Sequence, residues 1–277
     1  MFDEGIFMNS VHTKGKRSFV RLTVGLFSLM LTILAMPSCN VPETRDVAVF
    51  MYHDFVRDGE SAPWAVTESA FEAQVKALAD AGYTGVDFAD LRDFVFGEGE
   101  LPEKCVVLSC DDGYCGVIDI ALPICEKYGM KLTCAIVGEA VNDDNHFYPD
   151  PALADRIELT SHSYAIHDLP DGYLMSGLDD EDYRDAVLTD TTYMTDAFAE
   201  YFPETAGTLV YPYGSCDERS EAVLTELGYT VTVTVERGNA HLVQGDSSTL
   251  RRLPRYGVYQ NTTVWDILWL AGLSNEN

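Results

Sequence analysis

The chain has 277 residues, enough to bury one large core but not two, and its 47% apolar and 23% charged content excludes a disordered or polytopic membrane protein. With 45 acids against 18 bases the net charge is −27, which argues against nucleic acid as a partner. A solvated acidic surface accounts for that charge, and attraction of a cationic product is the functional alternative.

Lys14, Lys16, Arg17 and Arg21 precede an uncharged run over 22–36. That run falls short of the ~20 apolar residues of a comfortable membrane span and reads as an export signal. It ends in Met36-Pro37-Ser38-Cys39, similar to a lipoprotein cleavage site, with a small residue before a Cys that would carry lipid. Plain cleavage or an uncleaved anchor are the alternatives, and Met8 is an alternative start. The expected organisation is a signal peptide over 1–39, a polar linker over 40–46 and one catalytic domain over 47–277. Contact with a membrane is then expected only through the N-terminal segment, and the domain is expected to be exported and monomeric.

From residue 47, short apolar runs alternate with helical patterns. Strands are predicted at 47–52, 105–110, 132–137, 157–160, 208–211 and 230–235. The first helix carries a capping box of Ser69 and Glu72, an apolar face of Phe71, Val75 and Leu78, and Gly82 at its end. Further helices are predicted over 114–128, shortened or kinked by Pro123, and over 182–201, 217–227 and 263–270. Such alternation implies an α/β fold around a parallel sheet, open or barrel. Six cysteines follow Cys39, with no zinc-knuckle or C-x-x-C spacing; several fall in strand-like runs, where a thiol serves as a small buried hydrophobe.

Two stretches carry chemistry. Asp111 and Asp112 follow the run 105–110 directly, at the strand end where parallel α/β folds present catalytic groups. One acid can bind a cation while its neighbour accepts a proton. His162 and His167, two of the chain's six histidines, follow the run 157–160. Their five-residue offset puts the rings on different faces of a helix, so they converge on one ion only from a loop or helix entry. With the acids they suggest a two-His-one-carboxylate metal site with positions open to water and substrate.

Ser109-Cys110-Asp111-Asp112-Gly113, His162-Ser163-x-x-x-His167 and Tyr211-Pro212-Tyr213-Gly214 occur in the order and spacing of the polysaccharide deacetylases, carbohydrate esterase family 4, and the resemblance spans about residues 47–258. With Met51-Tyr52-His53 on the first strand and Leu253-Pro254-Arg255 near the end, the chain is similar to the branch that includes poly-β-1,6-N-acetylglucosamine deacetylases. The resemblance implies a distorted (β/α)7 barrel and hydrolysis of N-acetyl groups on an N-acetylglucosamine-containing polysaccharide. Asp111 would be the base, and Asp112, His162 and His167 would hold one divalent metal, zinc first, with cobalt, nickel or manganese as alternatives. The backbone N–H of Tyr213 would help to form the oxyanion hole. His53 would be the acid that other members supply from a C-terminal Leu-x-His motif.

Three departures bear on these roles. The common Thr-Phe-Asp-Asp-Gly is Ser-Cys-Asp-Asp-Gly here, and the second histidine lies five residues on rather than four. Val210 stands where the Arg-x-Pro-Tyr motif has its arginine, so the partner of the base must come from elsewhere; Arg255 is the candidate and Arg252 its competitor. An O-acetyl esterase acting on xylan and a glycan-binding lipoprotein that has lost catalysis are the rival readings.

Overall fold

Every run read as a strand is a strand in the computed structural model, which describes residues 41–198 and 207–273. The expected signal and lipidation site lie outside the described residues. In chain order the elements are β1 (Thr44–Tyr52), β2 (Asp54–Val56), β3 (Ala65–Thr67), α1 (Glu68–Asp80), β4 (Thr84–Val86), α2 (Phe88–Phe96) and β5 (Cys105–Cys110). There follow α3 (Leu122–Tyr128), β6 (Thr133–Ile136), β7 (Glu158–Ser161), α4 (Asp180–Phe198), β8 (Thr208–Val210) and α5 (Glu218–Glu226). The last are β9 (Val231–Val233), β10 (Ala240–Val243), β11 (Tyr256–Gly257) and α6 (Val264–Leu273).

Strands β1, β5, β6, β7, β8 and β9 pair in parallel in that order. The chain then returns to its start: Leu253 bridges Val233 of β9, and β11 pairs with Phe50 and Met51 of β1. Seven segments thus form a curled sheet, the expected (β/α)7 barrel, distorted because its seventh position is an irregular stretch through Arg255. Residues 44–46, read from sequence as linker, extend β1 and pair antiparallel with β10.

Alternation along β1 shows why the strands are mostly apolar. Ala48, Phe50 and Tyr52 join an outer cluster with Phe71, Val75 and Leu78 of α1. Val47 and Val49 meet Val107 of the adjacent β5 and also Val210, Val231 and Val233, from strands β8 and β9 that are not their neighbours, inside the curl. Both faces of a parallel sheet are buried here, so apolar residues dominate both, and polar ones such as Ser109, Thr133 and Glu158 make hydrogen bonds.

Helix α1 begins two residues earlier than the capping box implies. Thr67 is the N-cap, without a side-chain cap bond, and the Ser69 N–H donates to Asp58 at 3.2 Å. Pro123 stands in the first turn of α3, and the preceding Val117–Ala121 form a π-helical turn. Helix α2 was not read from the sequence. Its apolar Phe88, Leu91, Phe94 and Val95 pack into the inner cluster, and Asp87 with Asp90 closes a capping box.

At the start of β7, Glu158 accepts from the N–H groups of Phe88 (3.0 Å) and Ala89 (2.9 Å) and from the Thr133 hydroxyl (2.6 Å), which ties α2 to the sheet. Burial, together with the neighbouring Asp87, pushes the Glu158 carboxyl up to about 8 against those donors. All six cysteines among the described residues are free thiols. Cys110 and Cys134 sit side by side on β5 and β6, and burial pushes both well above the usual thiol range, as befits packing residues. Among the described residues no helix is long and apolar enough to cross a membrane.

Candidate active site

The residues singled out from the sequence meet at one mouth of the barrel because each follows the C-terminal end of a parallel strand. His53 follows β1, Asp111 and Asp112 follow β5, His162 and His167 follow β7, and Tyr213 follows β8. Arg255 enters from the stretch that closes the sheet.

Asp111 is buried, and its N–H donates to the Tyr52 carbonyl at 3.0 Å, which locks it to β1. Arg255, fully buried, donates to both carboxylate oxygens, Nη1 to Oδ1 at 2.7 Å and Nη2 to Oδ2 at 2.8 Å. Its Nε donates to the Thr234 carbonyl at 2.8 Å, so the guanidinium itself is held in place. Burial acts to raise the Asp111 carboxyl, but the charge and hydrogen bonds of Arg255 outweigh it and hold the group at about 2. Arg252 instead faces Glu221, 3.9 Å away. Val210, which stands at the usual arginine position, has its side chain in the inner core and offers its carbonyl to His162 Nδ1 at 2.7 Å.

That last bond sets the chemistry of His162. A carbonyl accepts only, so Nδ1 carries the proton and Nε2 keeps its lone pair toward Asp112. Asp112 Oδ1 lies 3.5 Å from His162 Nε2 and 3.4 Å from His167 Nε2. Metal bonds of ~2.1 Å at tetrahedral angles put donor atoms ~3.4 Å apart, so this spacing fits one ion. The three donor atoms all lie within 4.8 Å of one another. Two imidazole nitrogens and one carboxylate oxygen form a set that suits zinc and also cobalt, nickel or manganese.

The five-residue histidine offset works through a loop, as its geometry requires. Ser163 takes a positive φ of 68°, its hydroxyl accepts the His167 N–H at 2.8 Å, and residues Ile166–Asp168 form a 3-10 turn. Asp112 and Gly113 likewise turn through the left-handed region at 74° and 85°. A Cβ at Gly113 would also meet Ile136 at 3.2 Å. Tyr213 completes the mouth at φ 58°, its ring 5.1 Å from that of His167. Left-handed backbone at non-glycine residues is costly and collects at functional sites. His53 has a buried Nδ1 without a hydrogen-bond partner among the described residues, and it bears electrostatically on both Asp111 and Asp112.

A family model described as polysaccharide deacetylase matches residues 98–232, which contain both acids, both histidines and Tyr213. Residues 98–232 form a polysaccharide deacetylase domain. Members of that family are hydrolases, and the chain is an enzyme of this class. It is 27% identical over 198 residues to the Bacillus subtilis protein YxkH, named as a polysaccharide deacetylase, covering 71% of this chain and 67% of that one. It is also 27% identical over 236 residues to the Escherichia coli poly-beta-1,6-N-acetyl-D-glucosamine N-deacetylase. That match takes in 72% of this chain but only 34% of the longer relative. The fold is similar to that of the Streptococcus pyogenes deacetylase PplD, with a TM-score of 0.65 and 19% identity over 83% of this chain and 99% of that one.

One residue of the deacetylase site escaped the sequence reading. Asp190, buried in α4, accepts the N–H groups of Tyr164 (2.8 Å), Ala165 (2.7 Å) and Ile166 (3.0 Å), and so holds the loop between the two histidines. A signal was present. Tyr183, Val187, Asp190, Met194 and Phe198 form the buried stripe of α4, and a carboxylate on an apolar stripe needs partners.

Proposed function

We propose that the domain over 47–277 is a metal-dependent N-deacetylase of an N-acetylglucosamine-containing polysaccharide, acting outside the cell after export on its N-terminal segment. The observation that carries this reading is the Arg255–Asp111 pair beside the Asp112, His162, His167 donor set, because it supplies an ionised base next to a cation site. The substrate class is supported by the E. coli relative, whose name specifies poly-β-1,6-N-acetylglucosamine.

A divalent cation bound by Asp112, His162 and His167 would supply Lewis-acid polarisation of the acetamide carbonyl and a more acidic water. Asp111, kept ionised by Arg255, takes the proton of the attacking water at a carboxylate oxygen. The Tyr213 N–H stabilises charge on the carbonyl oxygen as the carbon becomes tetrahedral. His53 gives a proton to the departing amine, so that a neutral group leaves. Amide hydrolysis depends on that acid more than ester hydrolysis does, which makes His53 the residue on which N-deacetylation rests.

The test is Asp111→Asn in the zinc-loaded enzyme, assayed on acetylated β-linked glucosamine oligomers. Bound zinc is expected to stay at one equivalent while acetate release stops. Normal acetate release from this variant would overturn the assignment of the base.

A further inference from the structure

Beside the candidate acid lies an aromatic cleft that the mechanism does not use. A cavity of about 460 Å³ is lined by Pro63, Trp64, Tyr259, Gln260 and Asn261 among others, none of them charged, in a chain of net charge −27. Trp64 stands between the two sites. Its ring centroid is 6.0 Å from that of His53 on one side and 6.0 Å from that of Tyr259 on the other.

The way Trp64 is held is the informative part. The Ala65 N–H donates to the Ala62 carbonyl across a turn with Pro63 second and Trp64 third, and Trp64 has φ 61°. A turn with proline second and a positive φ third is a type II pattern, whose third position falls to glycine or asparagine for steric reasons. This chain places its largest kind of side chain there and leaves it 60% exposed. Core packing therefore does not explain the residue.

The facing wall is also braced. Thr262 accepts the Tyr259 N–H and donates its own N–H to the Tyr259 carbonyl, both at 2.9 Å. The Tyr259 hydroxyl lies over Gly257 of β11, so closely that a Cβ there would come within 2.6 Å of it. Two fixed aromatic faces with two side-chain amides at their edge suit a ligand with an apolar ring face and a polar rim. A pyranose has both.

We propose that Trp64, Tyr259, Gln260 and Asn261 form a subsite for the uncharged sugar unit adjoining the one whose acetamide is hydrolysed. This rests on the deacetylase reading above. The aromatic faces stack on the C–H face of the ring, and the two amides hydrogen-bond its hydroxyl and acetamido groups. The subsite continues the surface of His53, so a polymer threaded through it presents the neighbouring acetamide to the acid. Such an enzyme prefers longer chains, and the preference lies in KM.

The experiment uses the full chain loaded with zinc, with the β-linked N-acetylglucosamine tetramer and disaccharide as substrates. Trp64→Ala and Tyr259→Ala are each expected to raise KM for the tetramer at least tenfold, with kcat changed less than threefold. The ratio of kcat/KM between tetramer and disaccharide should shrink by a similar factor, and Trp64→Phe should restore part of it. Trp64→Gly should lose the length preference while its thermal unfolding midpoint holds or rises, since glycine relieves the turn. An unchanged length ratio in Trp64→Ala overturns the subsite, as does a loss confined to kcat. Saturation-transfer NMR of the metal-free protein with the tetramer separates this proposal from the deacetylase reading. If the wild type hydrolyses neither glycan but shows binding that Trp64→Ala abolishes, the subsite stands and the activity falls; binding indifferent to Trp64 overturns the subsite.

Discussion

Replacing Arg255 by Met removes the charge and five donors while keeping a long apolar stem, and the structure sets what this should cost. The side chain of Arg255 is 0% exposed and that of Asp111 4%, so water cannot replace the guanidinium. Breaking a buried pair by removing one partner costs about 3–5 kcal/mol, because the other charge stays buried without compensation. The same coupling can be read from titration. Asp111 is held at about 2 against an ordinary value of 3.8, which corresponds to roughly 2–3 kcal/mol of stabilisation of the charged form. Since the folded value is the lower one, this stability is fully present above pH ~4 and is lost as pH falls through about 2. Urea unfolding at pH 7 of the wild type, Arg255→Met, Asp111→Asn and the double variant gives the coupling directly. A coupling energy of about 2 kcal/mol or more is expected, with the double variant more stable than the sum of the single losses implies. Additivity within about 0.5 kcal/mol would refute the argument that Arg255 sustains the charge of the base.

Three further outcomes follow from the same geometry. His53→Ala should slow release of acetate from N-acetylglucosamine oligomers by about 10²–10⁴-fold yet slow hydrolysis of 4-nitrophenyl acetate far less, because nitrophenolate leaves without a proton; equal losses on the two substrates would remove His53 from the acid role. Asp190→Ala strands three loop N–H groups and should weaken zinc binding by about 10–100-fold in competition with a chromogenic chelator, with Asp190→Asn in between. Unchanged zinc affinity in Asp190→Ala would mean that the loop keeps its histidines aligned without the clamp. Because burial raises the Glu158 carboxyl to about 8, above its unfolded value, the native state binds the extra proton and loses stability as pH climbs from about 4.5 through 8. The urea midpoint should therefore fall between pH 6 and pH 9 and should fall less in Glu158→Gln; parallel pH profiles for the two proteins would contradict this.

Local chemistry made much of the molecule legible in advance. Largely apolar runs marked the parallel strands, since strands buried on both faces hold few polar residues. Two adjacent acids after one such run and two histidines after another pointed to a cation site, because few other arrangements justify those residue types at strand ends. What sequence could not supply was distance in space between residues far apart in the chain. Arg255 lies 144 residues from Asp111, and only the return of the chain from β9 to β1 puts the guanidinium on that carboxylate. Asp190 is one acid among 45 acidic residues until α4 packs against the histidine loop and leaves its carboxylate as the acceptor for three backbone donors. The same holds for Trp64, whose left-handed backbone and proximity to His53 follow from a turn and a barrel mouth. Residue type and local spacing declared which chemistry was available; the closing of the sheet decided which groups share it, because a charge or a ring acts over a few ångströms of space whatever its separation along the chain.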